Sequence, residues 1–591
     1  MNFINSDPLI LTKIANQQQE IKQYEIDVWN NLKGMLIKTK IQIIFKDHKI
    51  QYLKDGVILR IQQDSDNEQN PEILNNMEQI KYLVWFDQCE LQQNKNSKLV
   101  AFWNGEIIQK VGGYRQNGQK QGLWKEIIQY YWDKAQVFEV GQYYNNQKIY
   151  KWNYIYKNNK IGGGQYNLQG QKCGKWIDLD EGFCGSEVSK LITYNGEYNK
   201  KGIKIGIWDI MFKVEYEQDF KQIGGGLYDH KEGLKIGRWV DLWEGFWSMA
   251  QIIYKGEYNV NGVKVGRWDI FFCIFDEKEF KQIGGGSYDN QQGLKIGRWV
   301  DLWESFWIMA KITYNGEYNM KGLKIGRWDI MYKAEHEMYF KLIGGGSHDS
   351  EQGQKIGKWV ELWEGFCDFA KVTYSGEYNM KGAKIGRWDI MHCKSKEYEL
   401  VGGGSFEAQE EETSIKIGKW VELWENFQNY AEITQHGQYD MKGKKVGRWD
   451  YQFKEYEDGW WINKQIGGGT YDSSFGIKIG MWIELWEGFS RFTQVTYNGE
   501  YNQLGMKVGR WNSWYKGEFQ KQYKLIGGGL YEKGQKIGNW IELDDQLNFR
   551  ELITHNGEYN VKSIKVGTWV EMKYDSDKKE FLKIKEKQYD N

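Results

Sequence analysis

The side chains with the most regular spacing are cations. A lysine stands two positions before a glycine in unit after unit, at Lys204, Lys235, Lys264, Lys295, Lys324, Lys355 and Lys384. An arginine follows that glycine at Arg238, Arg267, Arg298, Arg327 and Arg387. Read alone, such rows suit anionic lipid headgroups or acidic protein tails. Acids recur beside them, at Asp241, Asp301, Glu361, Asp269, Asp329 and Asp389. Opposite charges across neighbouring strands neutralise one another, so the expected result is a solvated, ion-paired face.

Other residues are tested against specific chemistries. A second tryptophan in alternate units (Trp243, Trp303, Trp363, Trp424, Trp486) either covers the sheet or forms an exposed row, and covering is the commoner fate of aromatics. The pair Asp241 and Glu244 has the residue types of a glycosidase dyad. It recurs as Asp301/Glu304 and Glu361/Glu364, and one active site does not need a copy in every repeat. Triple-glycine runs such as Gly344–Gly346 lead into another strand rather than a helix, which fits bulged strands and not a phosphate loop. The seven histidines are scattered, and the six cysteines form no CxxC pair. No catalytic, cofactor or metal site is expected, and the chain reads as a non-enzyme. The candidate interaction surface comprises Lys235, Arg238, Trp243, Lys264, Arg267, Lys295, Arg298, Trp303, Lys324, Arg327 and Trp363.

Composition narrows the class. Lysine plus arginine is 79 against 80 acids, a net charge of −1. That balance speaks against nucleic acid, whose binding needs a basic excess. There are 69 glycines, 30 tryptophans, 39 tyrosines and only 2 prolines among 591 residues. Glycine with aromatics and almost no proline suits short strands and tight turns. No leader and no long apolar run is visible, so a reducing cytoplasmic setting is expected.

The elements that position these residues follow from a repeat. GEYNMKGLKIGRW, from Gly316 to Trp328, recurs at Gly256–Trp268 and Gly376–Trp388. Successive closing tryptophans lie 29–33 residues apart by subtraction, in two alternating kinds that make a longer repeat of about 60 residues. Tyr314, Gly316 and Tyr318 fall on one face, as do Gly326, Trp328 and Ile330, with Asn-Met-Lys-Gly between them. Period two on both sides of an Asn/Gly turn predicts a β-hairpin. Gly316 and Gly326 are expected to leave room for aromatic rings.

The pattern resembles the MORN repeat. Tyr314, Gly316, Tyr318, Gly322 and Gly326 match its motif, and so do Tyr254, Gly256, Tyr258, Gly262 and Gly266. The units here are longer than typical MORN units. The resemblance implies an extended sheet of hairpins and roles in cytoskeletal, ciliary or cortical scaffolding.

The expectation is therefore all-β: an elongated antiparallel sheet of tandem hairpins, with a closed β-propeller as the structural rival. Residues 1–84 form a partly helical cap, with a helix near Ile14–Trp29. Residues 85–160 carry degenerate units, 161–575 regular ones, and 576–591 a charged tail. Val566–Met572 is expected as a free edge that permits self-association unless Lys573 and the tail block it. The expected function is a scaffold for protein partners. A peripheral binder of anionic membranes and a propeller-type glycan hydrolase are the alternatives.

Overall fold

The computed structural model describes residues 20–589 apart from 31–34, 47–48, 55–56, 64–73, 90–95, 134, 185–189, 215–216, 275–278, 395–396, 410–412, 458–459, 519, 545–551 and 576–579. From Leu83 onward, 35 strands pair consecutively and antiparallel into one sheet that is not closed into a barrel. The continuity of this ladder excludes a propeller, whose blades are separate sheets.

One hairpin shows why the sequence folds this way. Strands Lys311–Tyr318 and Lys324–Lys333 pair with Tyr318 opposite Lys324. Asn319 closes the turn: its Oδ1 accepts from the backbone N–H of Lys321 at 2.9 Å and of Leu323 at 3.0 Å. Gly322 supplies the left-handed residue there, with φ of 73°. Lys324–Lys333 then pairs with Lys341–His348, and that strand with Lys355–Leu362.

The glycines have separate duties. A Cβ on Gly316 would stand 2.2 Å from the Trp328 ring, so that glycine makes room for an indole. Gly326 differs from the expectation. A Cβ there meets nothing within 4 Å, and its φ of 60° is the reason for glycine. In the triple run, Gly345 has φ of 124° and stands at the bulge toward Lys355–Leu362, where the register shifts between Gly345 and Ser347, while Ile343 is the unpaired residue toward Lys324–Lys333.

Each closing tryptophan lies on a glycine of the preceding strand and alternates edge-to-face with a tyrosine. The ladder runs from Trp124 through Trp328 to Tyr589, with ring centroids 4.9–6.3 Å apart. His348 and Phe406 take tyrosine places without breaking it. An isolated hairpin is marginal in water, and this shared core is what makes the units stable together.

The other half of the same sheet face is covered by loops. Phe246, Phe306, Phe366, Phe427 and Phe489 pack on Phe212, Phe272, Tyr332, His392 and Phe453 respectively. Loops of successive repeats bond to one another: Ile308 N–H donates to Met249 O at 3.1 Å, Asp368 to Met309 at 2.9 Å, Asn429 to Phe369 at 2.9 Å and Arg491 to Tyr430 at 2.9 Å. Their parent strands are four ladders apart, about 19 Å along the sheet. Near-equivalent loop positions touch while the strands stay that far apart, so the sheet curls toward its loops. The accessible surface, 34383 Å² for 70.0 kDa, is about half again the ~22,000 Å² of a compact monomer.

The ends correct three expectations. Residues 1–19 of the predicted cap lie outside the described residues, and Glu20–Asn30 is a strand of a four-stranded N-terminal sheet rather than helix. The only helix among the described residues is Met77–Tyr82, capped by Asn76. The charged tail is not a tail: Glu580–Tyr589 pairs with Lys565–Asp575, so Val566–Met572 is no edge. The last strand also reaches back to the start of the sheet, where Lys587 Nζ donates to Asn104 O at 2.7 Å. The described helix is not long and apolar enough to cross a membrane.

Candidate interaction surfaces

The cation rows fall on two faces. Arg267 and Arg327 lie on the open face, where their Nε atoms pair with Asp269 at 2.7 Å and Asp329 at 2.8 Å. Arg238 and Arg298 stand directly opposite Glu257 and Glu317 on the neighbouring strands. On this face Arg267 and Arg327 are ion-paired within their own strands, and Arg238 and Arg298 face an acid across the ladder without a pair within 4.0 Å among the described residues.

The lysines share the aromatic face. Each sits over its own tryptophan, as Lys324 does over Trp328 at 4.3 Å. Once per four strands a carboxylate joins them. Asp241 takes Lys235 at 2.6 Å and the Tyr258 hydroxyl at 2.6 Å, and Asp301 takes Lys295 at 2.5 Å and the Tyr318 hydroxyl at 2.6 Å.

In the C-terminal half the acid is glutamate, and the extra methylene changes the pairing. Glu361 pairs with Lys355 and also with Lys384 at 2.7 Å, and Glu422 with Lys416 and Lys445 at 2.9 Å. Against the cost of burial, the two lysines hold the carboxyls of Glu361 and Glu422 below the usual range. Aspartate falls short. Lys264 reaches Asp241 only at 4.0 Å, and Lys324 has no carboxylate within that distance among the described residues.

The tail tryptophans cover the sheet. Trp303, Trp363 and Trp424 are buried, and Trp243 and Trp486 are half-buried. They are core rather than an exposed row.

One hairpin is unlike its siblings. Strands Lys445–Glu457 and Trp460–Tyr471 have 13 and 12 residues, where the equivalent Lys324–Lys333 and Lys341–His348 have 10 and 8. Its end carries Tyr456 and Trp461, rings 5.2 Å apart, and Trp460, which is 76 % exposed. The signal in the sequence is the spacing of 33 from Trp449 to Trp482, the longest of the series. One pair in from these rings Glu455 is held by Lys516 at 2.8 Å and Lys464 at 3.1 Å and accepts from Gln494 at 2.9 Å. Its carboxyl falls to about 2 in spite of burial, because those donors favour the anion.

Among the described residues no group of three or more His, Cys, Asp or Glu is placed to hold a metal ion. His392 is fully buried in the loop core, with Nε2 3.0 Å from Asn429 Oδ1 and Nδ1 without a partner. Burial lowers its pKa from 6.5 to about 4. The unfolded chain therefore takes up a proton as pH falls through 6.5 while the fold does not. His392 contributes stability above pH 6.5 that is lost between there and about pH 4. Between pH 7.5 and pH 5 the loss is about 2 kcal/mol locally. Denaturation of wild type and His392→Phe at both pH values checks this: the variant, with the residue found at Phe212, Phe272 and Phe453, should lose about 2 kcal/mol less between them.

No protein-family model matches the chain, and no curated protein matches it. Solved structures share only distant likeness. A protein from Lactobacillus plantarum is 9% identical over 68% of this chain and 96% of that one, with a TM-score of 0.17. An ancestral GH74 enzyme is 6% identical over 84% of this chain and 92% of that one, at 0.15. The pore form of the Photorhabdus luminescens Tc holotoxin is 10% identical over 85% of this chain and 32% of that one, at 0.12. Similarity at this level carries no argument about fold or function.

Proposed function

We propose that this chain is a non-enzymatic scaffold of MORN-like repeats that presents an extended surface to protein partners at a cytoskeletal, ciliary or cortical site. The observation that carries the reading is the long hairpin ending in Tyr456, Trp460 and Trp461 on an otherwise uniform array. Exposed tryptophan and tyrosine on a rigid support are the side chains that dominate protein interfaces. The pairing of Arg267 and Arg327 with aspartates favours this reading over one in which those cations bind anionic membrane.

Two measurements test it. A tagged copy in its native cell is expected to concentrate on a structure and to resist detergent extraction. A uniform signal that washes out contradicts the scaffold. Proteins that co-purify with the wild-type chain should be bound at least tenfold more weakly by Trp460→Ala/Trp461→Ala, on the scale of interface hot spots. Undiminished binding would move the partner site elsewhere.

A further inference from the structure

In the aspartate repeats Lys264 meets Asp241 only at the limit of an ion pair, 4.0 Å, and Lys324 meets no carboxylate within that distance among the described residues. Lys264 Nζ lies 5.4 Å from the ring of Tyr254 and 4.2 Å from that of Trp268, and Lys324 stands likewise by Tyr314 at 5.5 Å and Trp328 at 4.3 Å. The hydroxyls of Tyr258 and Tyr318 are engaged by Asp241 and Asp301. Those of Tyr254 and Tyr314 have no hydrogen-bond partner among the described residues. Each position therefore offers an ammonium and a phenol, both donors, on partly buried side chains. The Lys264 side chain is 30% exposed. Burial lowers the pKa of both lysines, so each ammonium sits where an anion would be welcome.

We infer that Lys264 with Tyr254 and Lys324 with Tyr314 form two successive carboxylate-binding positions for an extended acidic segment of a protein partner. This rests on the scaffold reading and names the chemistry of what one stretch of the surface takes. Charge decides the occupant. Each of these repeats holds two lysines to one aspartate on this face, whereas Glu361 and Glu422 fill the same need internally for Lys384 and Lys445. The two positions are four strands apart, about 19 Å along the sheet, which about six residues of extended chain span. Glu244 lies near Lys264 and is the acid an incoming carboxylate must displace electrostatically.

The repeats themselves supply the test. Asp241→Glu/Asp301→Glu copies the C-terminal repeats, so it folds, and its longer carboxylates capture Lys264 and Lys324. A fluorescent oligo-glutamate peptide of about twelve residues, long enough to span both positions, is titrated against the full chain. Binding should weaken about fivefold to tenfold in this variant and in Lys264→Gln/Lys324→Gln, the loss of two partly exposed ion pairs. Glu361→Asp/Glu422→Asp, which releases Lys384 and Lys445, should strengthen it. Equal binding by wild type and Asp241→Glu/Asp301→Glu overturns the inference. So does binding of anionic phospholipid vesicles, lost in the same variants, without binding of the peptide. Co-purifying proteins that stay bound to Asp241→Glu/Asp301→Glu while the peptide fails to bind overturn this inference alone and leave the scaffold reading standing.

Discussion

Gly345→Ala is expected to destabilise its repeat by about 4 kcal/mol, from roughly 1–3 kcal/mol of backbone strain and a similar overpacking cost. Gly326→Ala, on the neighbouring strand, should cost only about 1 kcal/mol, the penalty of a left-handed alanine. The contrast lies in what a methyl group would meet. At Gly345 it would stand 2.1 Å from the Trp328 carbonyl oxygen and 3.0 Å from Asp329 Cα, both backbone atoms held in the ladder. At Gly326 it would meet nothing within 4 Å. Repeat arrays open locally, so amide hydrogen exchange across Lys324–Leu362 is the measurement. Equal loss of protection in the two variants would show that space at the bulge is not the controlling quantity.

Glu484→Gln is expected to cost about 3 kcal/mol, because breaking a buried ion pair from one side leaves the other side's charge behind. Glu484 accepts from Lys478 at 2.5 Å, Lys507 at 2.8 Å and the Tyr501 hydroxyl at 2.7 Å, with 12% of its side chain exposed. Burial alone would raise its pKa, but the two ammoniums outweigh burial and hold the carboxyl far below the usual range. Its contribution is thus present above the ordinary carboxylate range and lost only in strong acid. Glutamine keeps the shape and removes the charge, stranding two lysines. Asp301→Asn strands one and should cost less. Denaturation of the two variants at neutral pH, with exchange to locate the loss, distinguishes this from a general effect of surface charge.

The hairpins were legible because two signals agreed: period two in Tyr314–Tyr318 and Gly326–Ile330, and an Asn-x-x-Gly turn between them. The covering role of Trp303 and Trp363 was legible from the rarity of exposed tryptophan rows. The last strand was not. Glu580–Tyr589 lacks the glycine and tryptophan of its siblings and alternates lysine with apolar residues in a way that also suits a solvated tail, and only the neighbour at Lys565–Asp575 decides. Pairing of the lysines was hidden for a related reason. Aspartate and glutamate carry the same charge in sequence, and one methylene settles whether a second lysine is held. The exposed tryptophans at 460 and 461 were hidden among the other 28 of the 30, which are mostly structural.

The column of touching loops makes the molecule a spring. Pulling on its two ends loads first the contact of Lys587 with Asn104 that holds the ends together, and then the inner side of the curl, where the loops of adjacent repeats from Met249 to Arg491 share one backbone bond while each strand pair on the outer side shares a whole ladder. The loop bonds act in parallel with the ladders and are the weaker of the two links between neighbouring repeats. They open repeat by repeat, the curl relaxes, and the chain lengthens with every hairpin intact.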